Sequence, residues 1–180
     1  MRIRGSRAAL LGLIDLPGAA GAQPASVGSY VGGGLFLQDV NGYDDGMGLN
    51  VRGATALPGV LNDGVPGAVS LEGELTRSLV SPEHSLPPTA TGDSVAVDIT
   101  TLGGYGVYTY PAQRFRLRGR FGLIYENIAA DDGYHDDSEV GLSLGFGAGY
   151  MVTGRVEVAA NYTYIEDDVE HLGINALYHF

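Results

Sequence analysis

From Ser29 to the last residue, apolar and polar side chains alternate with a period of two. That period belongs to β-strands, whose successive side chains point to opposite faces, and not to helices. Eight stretches carry it. "FRLRGRFGLIYE" (115–126) sets Phe115, Leu117, Phe121, Leu123 and Tyr125 against Arg116, Arg118, Arg120 and Glu126. "VGLSLGFGAGY" (140–150) places only serine and glycine between Val140, Leu142, Leu144, Phe146, Ala148 and Tyr150. "VEVAANYTY" (156–164) opposes Val156, Val158, Ala160, Tyr162 and Tyr164 to Glu157, Asn161 and Thr163. In the last stretch, "EHLGINALYHF", Leu172, Ile174, Ala176, Tyr178 and Phe180 form one face; His171, Gly173, Asn175, Leu177 and His179 form the other. The earlier stretches are 29–38, 48–57, 68–79 and 95–110. In the second, Leu49 and Val51 oppose Asn50 and Arg52; in the third, Val69, Leu71 and Leu75 oppose Ser70, Glu72, Glu74 and Thr76. Stretches of about 9–12 residues match what a tilted strand needs to cross a bilayer.

The connections alternate in character. Those after odd-numbered stretches, such as "DVNGYDDGM" and "NIAADDGYHDDSE", are acidic and tend to be longer. "PAQR" and "MVTG", after the fourth and sixth, are tight turns, and the Pro/Gly-rich stretch 58–67 is the exception. In an antiparallel meander the odd connections share one end, and such sidedness describes an outer-membrane barrel with its N-terminus in the periplasm.

Alternation alone does not say which face is inside. A soluble sandwich or ligand-binding barrel buries its apolar face, whereas a membrane barrel turns that face to lipid. Three features favour the second. The polar face of the sixth stretch, Gly141, Ser143, Gly145, Gly147 and Gly149, is too small for a solvent face and suits a crowded lumen. Arg116, Arg118 and Arg120 form a like-charged row that Glu72, Glu74 and Glu157 would pair with inside a lumen, and Arg52 would join the same charge network. Tyr105, Tyr108, Tyr110, Tyr125, Tyr150, Tyr162, Tyr164, Tyr178 and Phe180 lie near strand ends, as aromatic girdles do. The expected fold is all-β: an eight-stranded antiparallel up-and-down transmembrane β-barrel, whose last strand pairs with its first.

Composition narrows the function. The net charge is −11, from 21 acidic residues and ten basic ones, all arginine, which argues against a nucleic-acid partner. Cysteine is absent, which excludes disulfides, thiolate metal sites and a cysteine nucleophile. At the N-terminus, Arg2, Arg4 and Arg7 precede an apolar run and the small residues Ala20 and Ala22, the pattern of a secretory signal peptide over residues 1–22. Asp15 is a defect in that pattern. Residues 23–180 would then form the barrel.

Candidate chemistry is sparse. Asp131, Asp132, Asp136 and Asp137 invite a calcium reading, but their spacing is not that of an EF-hand, and a solvated acidic loop explains them. His84–Ser85 and His135 could suggest a hydrolase, yet no nucleophile, base and orienter come together. Neither an enzyme nor a cofactor or metal is expected.

The signal peptide, the eight stretches, "YVGGGLF" at 30–36, "VEVAANYTYIE" at 156–166 and the terminal "ALYHF" together resemble the small eight-stranded outer-membrane barrels of Gram-negative bacteria, the outer membrane protein A-like and opacity-type porin family. The resemblance covers nearly all of residues 27–180. It implies a non-enzymatic surface or envelope role in the outer membrane, with at most a narrow pore. It also implies contact with outer-membrane lipid and lipopolysaccharide. Tyr178 and Phe180 match the ending that the family's barrel-assembly machinery recognises. A small-solute porin remains an alternative. So does a surface adhesin that meets a host or surface ligand through connections 79–94 and 127–138.

Overall fold

An extended segment leaves its backbone N–H and C=O groups unpaired, and in hydrocarbon they must find partners within the protein. The computed structural model shows how they do so. It describes residues 28–40, 45–61, 64–80, 83–84, 95–130, 136–165 and 169–180; the proposed signal peptide and most of the odd-numbered connections lie outside them. The long strands are β1 (Tyr30–Val40), β2 (Gly46–Ala56), β3 (Ala68–Val80), β4 (Val95–Ala112), β5 (Phe115–Ala130), β6 (Asp136–Met151), β7 (Val156–Ile165) and β8 (Val169–His179). A two-residue strand, Glu83–His84, adds to the start of β4. Every pairing is antiparallel between chain neighbours, and β1 pairs with β8 from Tyr30↔His179 to Val40↔Val169. The eight-stranded sheet is closed and has no free edge.

The registers fix the barrel's geometry. Starting at Tyr30, the paired positions run Ala54, Glu72, Tyr105, Gly122, Ser143, Ile165 and Val169, and return to β1 at Val40. The circuit therefore comes back ten residues along the strand it left, from position 30 to 40. With eight strands, ordinary strand rise and spacing then give a tilt of about 40° and an interior just wide enough for side chains.

The strands outrun the alternating pattern. β4 spans 18 residues, and β5 and β6 span 16 each. Pairing continues through Asn127↔Ser138 and Ala129↔Asp136, where the apolar/polar alternation has already stopped. The alternation records contact with lipid, whereas the hydrogen-bond ladder continues beyond it.

Polarity is inverted. Among the described residues, 20 buried side chains are polar or charged and 11 are apolar, while 30 large apolar side chains are exposed. Phe146, Ile174 and Val140 on the outer face are 63–65% exposed, whereas Arg118, Arg120, Glu72 and Glu157 are at most 7% exposed. A water-soluble barrel would have the reverse. Outward-facing Tyr108, Tyr110, Phe115 and Tyr178 gather at the short-turn end, with Tyr125 and Tyr164 toward the other. Tyr105 corrects the girdle expectation, because its side chain is inside and only 2% exposed. It lies three residues from Tyr108, and strand parity forbids both from facing out.

The β4–β5 hairpin turns through two residues, Gln113 and Arg114, between paired Ala112 and Phe115. Gln113 takes φ 58°, a left-handed backbone that a two-residue hairpin demands and a glycine adopts more readily.

Candidate functional site in the barrel lumen

Room for charge inside the barrel comes first from glycine. β6 presents Gly145, Gly147 and Gly149 to the lumen, across from the long side chains of its neighbours. A methyl group on Gly149 would overlap Oε1 of Glu157; one on Gly147 would overlap Oδ1 of Asn161; one on Gly145 would lie 2.7 Å from Cγ of Arg120. The bare strand is the space that the polar side chains fill.

Two carboxylates organise the network. Toward the short-turn end, Glu157 accepts a two-pronged contact from Arg118, with Nη2 at 2.7 Å from Oε2 and Nη1 bonded to Oε1. His179 Nε2 lies 2.8 Å from the same Oε2. One level up, Glu74 accepts Arg120 at 2.5 and 3.2 Å and Arg52 at 2.5 Å. Asn50 Nδ2 adds a longer bond at 3.5 Å. Glu72 joins the two levels: Oε2 accepts the Tyr30 hydroxyl, and Oε1 lies 3.1 Å from Arg120 Nη1, an ionic contact rather than an aligned hydrogen bond. Aromatic rings line the cations, with the Arg120 guanidinium 3.6 Å from the Tyr105 ring centre and that of Arg118 5.1 Å from Tyr30.

The structure thus joins Arg52, Glu72, Glu74 and Arg120 in one ion-paired group and Arg118 with Glu157 in a second, with Tyr30 between them. Arg116 is buried beside them but bonds elsewhere. Its Nη1 donates to the carbonyls of Gln113 at 3.2 Å and Phe115 at 3.3 Å, bracing the left-handed turn. Tyr178 and Phe180 face outward at the short-turn end, 44% and 67% exposed. Of the other candidates, Ser85, Asp131, Asp132 and His135, and the side chains of His84, Asp136 and Asp137, lie outside the described residues.

Tyr30, Tyr105, His179 and His171 are lumen residues that charge pairing did not nominate. Parity could have found all four, Tyr105 by its odd spacing from Tyr108. Val31 and Leu35 face out, so Tyr30 faces in, and His171 and His179 share the inner face with Asn175. Above the network, Thr76 and Thr101 hydroxyls bond at 2.6 Å, the Phe36 and His171 rings meet at a tilt with centroids 4.6 Å apart, and Ile124, Ile165 and Val169 form a small apolar cluster. Between these layers, beside Asn50, Arg52, Glu74 and His171, remains a void of about 10 Å³. That is room for roughly one water.

A charged plug of this kind contributes little net stability, because desolvation offsets the attraction. Removing one partner is different: it strands a buried charge at about 3–5 kcal/mol.

A closed antiparallel barrel is the form that comparison with known proteins also finds. The family described as "Outer membrane protein beta-barrel domain" matches residues 7–180. The chain belongs to this family. It is an outer-membrane β-barrel protein. A search of curated proteins finds no match. Among solved structures, Ail, the attachment invasion locus protein of Yersinia pestis, is similar at 15% identity and TM-score 0.54, covering 88% of this chain and 100% of its own. Neisserial surface protein A is similar at 16% identity, TM-score 0.54, and the same coverage. OprG from Pseudomonas aeruginosa is similar at 11% identity and TM-score 0.57, covering 87% of this chain and 98% of its own. At these identities the likeness is one of fold.

Proposed function

We propose that this outer-membrane barrel is a non-enzymatic surface or envelope protein whose lumen passes little or no solute. The observation that carries the reading is the interior itself. Three arginines and three glutamates interlock across β2, β3, β5 and β7, and the void beside them has room for about one water. A signal peptide over residues 1–22 would deliver the chain, and Tyr178 and Phe180 would present it to the assembly machinery. Planar-bilayer recording of the refolded barrel tests the closed lumen. Rare or very small current steps are expected; large, long-lived steps would favour a small-solute porin instead.

A second reading, surface adhesion, rests on charge distribution. Of 21 acidic residues, all but Asp15, Asp63, Glu72, Glu74 and Glu157 lie in or near the connections after odd-numbered strands, which leaves 16 there. Ail has been crystallised with the heparin analogue sucrose octasulfate. A polyanion of that kind is a poor electrostatic match for the acidic end of this chain, so an adhesive ligand here would be cationic. Deletion of 79–94 or 127–138, followed by cell-binding assays against a basic and a sulfated surface, separates these cases. Lipopolysaccharide, itself anionic, would meet this end only through bridging cations.

A further inference from the structure

The short-turn rim carries the same small construction twice. In the β4–β5 turn, Arg114 accepts the Met151 amide at its carbonyl (2.8 Å), and its Nη1 donates to the Tyr150 hydroxyl at 3.3 Å. In the β6–β7 turn, Arg155 accepts the His179 amide at its carbonyl (2.8 Å), and its Nη1 donates to the Tyr178 hydroxyl at 3.1 Å. In each case the arginine is the residue before a strand begins, and the tyrosine sits opposite that strand's first residue: Phe115↔Tyr150 and Val156↔Tyr178. Both arginines are exposed, and both tyrosines face away from the lumen.

We propose that these two arginine–tyrosine pairs are docking points for the headgroup phosphates of membrane phospholipid at the short-turn boundary. The inference rests on the outer-membrane placement and on the orientation in which the short turns meet the periplasmic leaflet. Three observations carry it. The height is right, since Tyr108, Tyr110, Phe115, Tyr150 and Tyr178 mark the aromatic belt at this end, just where headgroups begin. The chemistry is right, since a guanidinium offers five donors in a planar fork that suits a phosphate, and the tyrosine engages one of them and so aims the rest. The charge is segregated: outside the lumen, residues 23–180 carry arginine only at 77, 114 and 155, and two of these three stand at this rim, while the carboxylates crowd the other end. A barrel so acidic overall would be repelled by anionic lipid were its few outer cations not placed against it.

The test uses the refolded barrel in detergent, titrated with phosphatidylglycerol and read by native mass spectrometry, with heat-shifted gel migration confirming the fold of each variant. Arg114→Gln and Arg155→Gln should each weaken lipid binding roughly fivefold, and together about 25-fold. Tyr150→Phe and Tyr178→Phe should weaken it less, and Arg77→Gln at the opposite end should leave it unchanged. Should the double glutamine variant fail to fold, Arg114→Lys with Arg155→Lys keeps the charge and removes the fork. Undiminished binding in that variant would overturn the arginine–tyrosine geometry. Unchanged binding in the folded double glutamine variant, an equal loss in Arg77→Gln, or displacement of lipid by excess inorganic phosphate would each overturn the proposal. None of these readings depends on whether the lumen conducts, which bilayer recording decides separately.

Discussion

Gly149→Ala isolates the lumen network without touching a charged residue. The added methyl group would overlap Oε1 of Glu157 and come within 2.9 Å of its Cγ, and the β6 backbone that carries it is paired on both sides and unable to retreat. Glu157 must therefore swing away, leaving Arg118 and His179 without their shared acceptor. Separating a buried pair in this way costs about 3–5 kcal/mol, and the tight β6–β7 packing leaves little room for relaxation. Gly104→Ala is the control. It faces lipid on β4 with nothing within 4 Å of the new methyl, so it should be neutral or stabilise by up to about 1 kcal/mol. Urea unfolding of the barrel in lipid vesicles, followed by loss of the compact gel band, measures both. A double-mutant cycle with Glu157→Gln then isolates the cause: once the carboxylate is gone, most of the Gly149→Ala penalty should vanish. Equal effects of Gly149→Ala and Gly104→Ala, or additivity with Glu157→Gln within about 0.5 kcal/mol, would refute the reasoning.

Arg118→Ala should destabilise the barrel by about 3–5 kcal/mol or raise its conductance, because Glu157 is left buried without its cation; unfolding and single-channel recording check it together. Replacing only Thr76 by valine should cost about 1–3 kcal/mol by stranding the Thr101 hydroxyl, whereas valine at both positions should be close to neutral, as urea midpoints will show. Gln113→Gly should raise stability by roughly 0.5–1 kcal/mol by relieving the left-handed turn, measured the same way. Phe180→Ala should lower the amount of folded barrel in outer-membrane fractions without changing the midpoint of what does fold, since the ring faces outward.

Much of the architecture was legible because strand parity is rigid. Once Leu117 and Phe121 are placed in lipid, Arg116, Arg118 and Arg120 have nowhere to go but inward, and the glycines of β6 announce how crowded that interior is. The same rule, applied through β4, would have moved Tyr105 out of the girdle, since Tyr108 and Tyr110 share a face that excludes it. Tyr30 lies close to three glycines, so its inward face follows only from counting parity against Val31 and Leu35. Strand ends were illegible for a different reason: pairing past Asn127 and Ser138 proceeds without any lipid boundary to pattern the side chains. Arg116 was misleading because Arg118 and Arg120 are ion-paired and, among the described residues, it is not. The acceptors it uses are backbone carbonyls, which leave no mark in composition.

The seam between β1 and β8 joins Tyr30 to His179 and Val40 to Val169. Every other pairing joins strands that are neighbours along the chain, whereas this suture needs the first and last strands to meet. Without it, β1 and β8 would each present a raw hydrogen-bonding edge. Closing that one seam therefore removes the last two open edges at once.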